Sequence, residues 1–100
     1  MLQTIFGLTL PIHEFPLGGE QAQALADRIK AAALQVRGDT RAALAAELRR
    51  DAEQYLAARR EHTLRLPFPL ARACDEGARD VMRLTLNAPP MLRRAELLVA

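Results

Sequence analysis

With 100 residues, half of them apolar, this chain is long enough to fold alone as one small domain. Four aromatics and no Trp leave Leu, Ala, Val, Ile and Met to build its core, which favours helix packing over a β-sandwich. Fourteen basic and twelve acidic residues give a net charge of +2, far from the clustered basic stripe of a dedicated nucleic-acid binder. The single cysteine, Cys74, excludes an internal disulfide and a cysteine-rich metal site. Pro11 and His13 interrupt the N-terminal apolar run, so neither a signal peptide nor a membrane span is expected and the predicted location is cytoplasmic.

Residues 2–12 alternate, with Leu2, Thr4, Phe6, Leu8, Leu10 and Ile12 on one side, and period two over that length predicts a half-buried strand. Pro11 lacks an N–H and puts that end at a sheet edge. After the break at residues 16–19, an amphipathic helix is predicted over residues 20–37, with a seam of Ala22, Leu25, Ile29, Ala32 and Val36. Glu20 and Arg37 suit the helix dipole at its two ends, and Gly38 is expected to supply a left-handed cap. Asp39 or Thr40 then caps a second helix over residues 40–61, whose seam is Leu44, Leu48, Ala52 and Tyr55. A link this short allows only an antiparallel hairpin, with Leu25, Ile29, Leu44, Leu48 and Tyr55 buried between the two helices.

Residues 63–70 alternate again, with Pro67 and Pro69 on one face, and Met82, Leu84, Leu86 and Ala88 alternate after a turn at residues 74–77. The reading is a strand pair over 63–87. The rival is a helix over 70–84 using Leu70, Cys74, Val81 and Leu84, which Gly77 would weaken by ~1 kcal/mol. A short helix over 91–99 follows Pro90. The fold class is therefore α+β: an antiparallel helical hairpin packed on a small, mainly antiparallel β-sheet.

The chain shows no catalytic motif, no cofactor motif and no metal-ligand spacing. His13, Glu14 and His62 form no HxH or HxxxH pattern, and Asp75 and Glu76 beside Cys74 would raise a thiol pKa rather than lower it. The expected function is accordingly non-enzymatic. Arg41, Arg49, Arg50, Arg59 and Arg60 cluster on the second helix and offer an anion or nucleic-acid surface as the alternative function. Glu47, Asp51, Glu53 and Glu61 interleave with them, however, and Arg49 with Glu53 is spaced for a local ion pair. Apart from Tyr55, which belongs to the seam, no aromatic accompanies these arginines in the sequence, which argues against stacking of single strands. The favoured function is docking of a protein partner or of a second copy. Alanine-rich seams bury little area, Leu34 points away from its seam, and Ala24 and Ala31 leave that side of the first helix uncharged. A homo-oligomer whose interface includes Leu34, Ala31 and Ala24 is the expectation.

One segment carries a family resemblance. Residues 75–86, Asp-Glu-Gly-Ala-Arg-Asp-Val-Met-Arg-Leu-Thr-Leu, read as a turn and a strand, and Leu92-Arg93-Arg94-Ala95-Glu96 opens a helix. This pattern resembles the hairpin-then-helix at the front of some phage tail assembly chaperones and related gene-transfer-agent proteins, where it lies near the N-terminus rather than the C-terminus. The resemblance implies an assembly role for the chain and covers about 35 residues of it.

Overall fold

A computed structural model describes residues 2–12, 16–39 and 41–86. These residues are α+β, with three helices packed on one another and on a two-stranded antiparallel sheet. The helix expected over 91–99 lies outside the described residues.

The N-terminal alternating run is two strands rather than one. β1 (Leu2–Ile5) pairs antiparallel with β2 (Leu8–Pro11), Ile5 opposite Leu8 and Leu2 opposite Pro11. Only Phe6 and Gly7 remain for the turn, with φ of 51° and 78°. Left-handed backbone at both central positions is the hairpin turn whose twist matches that of the flanking strands. Gly7 enters that region freely and Phe6 does so at a cost. The Phe6 ring is buried and tilts against Tyr55, with centroids 6.4 Å apart, and this packing holds the strained residue in place. The inward face of the hairpin carries Ile5 and Leu10. Leu2 and Thr4, expected on the buried side, are exposed, because the side chains of β1 alternate out of step with the reading of one continuous strand.

α1 (Gly19–Gly38) buries the predicted seam of Ala22, Leu25, Ile29, Ala32 and Val36, and Ala33 with them. Its end differs from expectation. Gly38 is the last helical residue and does not have positive φ, and extended Asp39 closes the helix by donating its N–H to the Gln35 carbonyl. The Asp39 carboxylate accepts from the Arg41 N–H at 2.9 Å and leads the chain into α2 (Ala42–Arg60). α2 buries Ala45, Leu48, Ala52, Tyr55 and Ala58, while Leu44 is half-buried.

The C-terminus of α2 is closed by two reversed backbone bonds, from the Thr63 N–H to the Ala58 carbonyl and from the His62 N–H to the Arg59 carbonyl. This is the Schellman arrangement, and it places His62 at φ 60°, where glycine is the usual occupant. His62 is exposed, so its side chain offers little in return for the left-handed backbone. His62→Gly is expected to stabilise the protein by up to ~1 kcal/mol, because the relief of left-handed strain outweighs the added freedom of the unfolded chain. A urea melt with an unchanged slope and a higher midpoint would register this; a lower midpoint would show that the imidazole contributes to the cap.

The strand pair expected over 63–87 does not form among the described residues. Residues 63–67 form a connector whose Leu64 and Leu66 are buried, with the Arg65 carbonyl accepting from the Leu17 N–H at 2.8 Å. The chain then enters α3 (Phe68–Leu86), a helix of 19 residues. Pro67 and Pro69, read as marks of an edge strand, stand immediately before the helix and in its first turn, where a missing N–H loses no helical hydrogen bond. Gly77, read as a weakness in any helix here, lies where α3 packs tightly on α1. A Cβ on Gly77 would fall 2.7 Å from Cγ2 of Ile29. Cys74, Ala78, Val81 and Thr85 form the buried stripe of α3, and the Thr85 hydroxyl donates back to the Val81 carbonyl at 2.8 Å.

α3 packs against both other helices far more extensively than they pack on each other. The seams of α1 and α2, expected to face one another, are thus covered mainly by the third helix. The pairs Ile29–Gly77 and Arg37–Asp80 run in the same sense along the two helices, so α1 and α3 are parallel.

Candidate functional site

Two surfaces of this bundle combine exposed apolar area with organised charge. The first is an open groove of about 480 Å³ between α1 and α3. Small residues make it: Ala26 and Ala33 from α1, Gly77 and Ala73 from α3. Leu34 stands beside them and is 58% exposed, with half-buried Leu70 across the groove. The rim is charged, with Asp27, Lys30 and Arg37 on the α1 side and Glu76 and Asp80 on the α3 side. Arg37 and Asp80 approach to 3.8 Å across it, a solvent-exposed pair that adds little to stability.

The three residues expected to form one docking surface do not share it. Ala31 borders a different cleft, together with Gly7, Arg28, Gln35 and Leu48, and Ala24 is half-buried and lines neither. Leu34 alone projects into the α1–α3 groove.

The second surface lies on the other side of α3, around a polar cluster that the sequence reading did not contain. The Asp75 carboxylate accepts from the Tyr55 hydroxyl at 2.7 Å, from Arg59 Nε at 3.0 Å and from Arg59 Nη2 at 3.2 Å. Arg59 Nη1 also donates to the Leu64 carbonyl at 3.2 Å, so one guanidinium ties α2, α3 and the connector together. Burial pushes the Asp75 carboxyl pKa up, but the hydrogen bonds from Arg59 and Tyr55, with the Arg59 charge, outweigh that and hold it below the usual range. The same bonds raise Arg59. Burial, and then the bond to Asp75, pushes the Tyr55 phenol upward.

Cys74 is beside this cluster and is not poised for chemistry. Burial first, and then the Asp75 charge, pushes its thiol up to about 11, so it is a thiol and not a thiolate at neutral pH. The cluster has every strong acceptor filled by a donor of the same chain, which fits a clamp between elements. Among the described residues no group of His, Cys, Asp and Glu could hold a metal ion.

The remaining helix-two arginines are dispersed. Arg41 chelates Asp39, with Nη2 at 2.8 Å and Nε at 2.9 Å from Oδ2. Arg49 pairs with Glu53 at 3.3 Å, at the spacing expected for a local ion pair. Arg50 is exposed next to Asp51. Arg59 is committed to Asp75, and Arg60 lies in the cleft beside it with Leu56 and Arg79. Sequence reasoning missed three residues that shape these surfaces: Asp75, Gly77 and Phe68, which is 87% exposed at the start of α3. The available signal was the i,i+4 spacing of Tyr55 and Arg59, which lets one carboxylate meet both.

The fold and these surfaces define a small α+β protein, with three helices and an N-terminal β-hairpin among the described residues, that has two candidate docking faces. Compared with known proteins, the chain matches no family model, and no curated protein or solved structure shows significant similarity to it. No helix among the described residues is long and apolar enough to cross a membrane.

Proposed function

We propose that this chain is a non-enzymatic protein–protein interaction module that works by self-association through the α1–α3 groove. The carrying observation is Leu34, a large apolar side chain standing 58% exposed beside a groove floored by alanine and glycine. The charge around it is self-complementary. The α1 rim carries Lys30 and Arg37 against Asp27 and stays positive, and the α3 rim carries Glu76 and Asp80. Two copies facing each other across a two-fold axis along the groove bring the α1 rim of one over the α3 rim of the other. Each Leu34 then lies over the small residues of its partner. Such isologous pairs are the commonest closed assemblies.

A cytoplasmic module of this kind keeps its lone, buried Cys74 reduced. A phage or prophage assembly protein is the form that the sequence resemblance implies, but residues 75–86, read there as a turn and a strand, belong to α3, so the self-association reading does not rest on it. Sedimentation equilibrium at micromolar concentration tests the proposal. The expected result is a mass near twice the 11.1 kDa of the chain that reverts to the monomer mass in Leu34→Glu. A monomer mass across the whole concentration range would overturn it.

A further inference from the structure

The cleft between α2 and α3 on the opposite side of the bundle has a different character. Phe68, the most exposed large apolar side chain described, stands there at 87% exposure with Arg59, Arg72 and Arg79 around it. The neighbouring cleft shares Arg59, Asp75 and Arg79 and adds Arg60, so the two are continuous. Four arginines against Asp75 and Glu76 leave an excess of two positive charges here, as much as the net charge of the whole chain.

The pairing within the cleft shows where that excess sits. Arg59 is held by Asp75, and Arg72 by Glu76 at 3.2 Å. Arg60 and Arg79 hold no ion pair or hydrogen bond among the described residues, although Arg79 lies close enough to help hold the Asp75 pKa down. Phe68 is also the first residue of α3, so the positive end of the helix dipole lies beside the ring. A flat apolar face next to unneutralised guanidinium groups is the pairing that single-stranded nucleic acid uses: the ring stacks a base, which every base allows, and the arginines take the phosphates that follow. In the sequence the one aromatic among these arginines, Tyr55, belongs to the buried seam. Folding of residues 68–86 as a helix brings Phe68 to them.

We propose that this cleft binds single-stranded nucleic acid, with one base stacked on Phe68 and adjoining phosphates on Arg60 and Arg79. The site is separate from the α1–α3 groove, and each can fail without the other.

Fluorescence anisotropy of the full chain with a labelled oligothymidylate of about twelve nucleotides tests it. Two phosphate contacts predict a slope near −1.4 in log affinity against log salt, or about sevenfold weaker binding between roughly 50 and 200 mM salt. Phe68→Ala should weaken binding by about fivefold or more at every salt concentration and leave the slope unchanged. Arg60→Ala with Arg79→Ala should flatten the slope. These are exposed positions, and circular dichroism of each variant confirms the fold. Leu34→Glu should bind as the parent does, which separates this site from the self-association groove. Absence of binding at about 50 mM salt would overturn the proposal. So would binding that Phe68→Ala leaves untouched, the mark of plain electrostatic attraction. Loss of self-association in Phe68→Ala with oligothymidylate binding intact would assign the ring to a protein interface instead.

Discussion

Asp75→Ala is expected to destabilise the protein by about 2–4 kcal/mol, which for a domain of this size lowers the thermal midpoint by at least ~8 °C. The cost comes less from the hydrogen bonds lost than from the groups left behind. Arg59, with a side chain only 26% exposed, would keep its charge with the Leu64 carbonyl as its one remaining acceptor. The Tyr55 hydroxyl, on a residue that is fully buried, would lose its acceptor altogether. Tyr55→Phe removes one donor and leaves the carboxylate with Arg59, so it should cost nearer ~1 kcal/mol. The ordering is the diagnostic: Asp75→Ala must exceed Tyr55→Phe. An Asp75→Ala variant within about 0.5 kcal/mol of the parent would show that water satisfies Arg59 and that the cluster is no clamp.

The same cluster sets a pH dependence with a definite sign. The Asp75 pKa is lowered in the folded state, so the unfolded chain binds the proton more tightly. The stabilisation it brings is complete above the unfolded carboxyl pKa near 3.9 and is lost as pH falls through the lower, folded value. Acid unfolding of the parent should therefore steepen below about pH 4, and Asp75→Ala should lack that component. At the other end of the scale, the raised phenol of Tyr55 works in the opposite sense. Its ionisation favours the unfolded state once pH passes the ordinary phenol pKa near 10.

What was legible in the sequence was what periodicity encodes. The stripes of α1 and α2 were readable because apolar residues recur at helical spacing over five turns, and their buried faces lie where that spacing put them. α3 was misread because two local signals opposed its period. Pro67 and Pro69 are strand-edge residues by habit but harmless at a helix start, and Gly77 lowers helix propensity for the sake of contact with Ile29. A local scale sees the propensity and not the neighbour. The hairpin was misread for the converse reason. Phe6 carries no turn signal, and its left-handed conformation is held by packing against Tyr55, a residue 49 positions away that only the fold brings near. The candidate sites follow the same rule. Leu34 was found because it is out of phase with its own helix. Asp75 and Phe68 were not, because each gains its role from α3 being a helix beside α2.

Ile29→Ala should be among the most damaging single substitutions, costing about 2–5 kcal/mol, because Ile29 is 1% exposed at the contact of α1 with α3. Its consequence for Gly77 is the sharper test. In the parent, Gly77→Ala puts a methyl 2.7 Å from Cγ2 of Ile29, a β-branched side chain whose stiff χ1 cannot swing aside in a full core. The overpacking costs about 1–3 kcal/mol and outweighs the ~1 kcal/mol that alanine gains over glycine in a helix, so Gly77→Ala alone should destabilise. With Ile29→Ala already in place Cγ2 is gone and the new methyl enters the vacated space. There Gly77→Ala should change sign and stabilise by up to ~1 kcal/mol. A double-mutant cycle from urea melts should therefore show favourable coupling of about 1–3 kcal/mol between the two positions. Additive effects would mean that the helices can part slightly at no cost, and that Gly77 is not there to let α3 approach. Strong coupling would fix the α1–α3 spacing as the quantity the sequence protects, and with it the floor of the groove in which Leu34 stands.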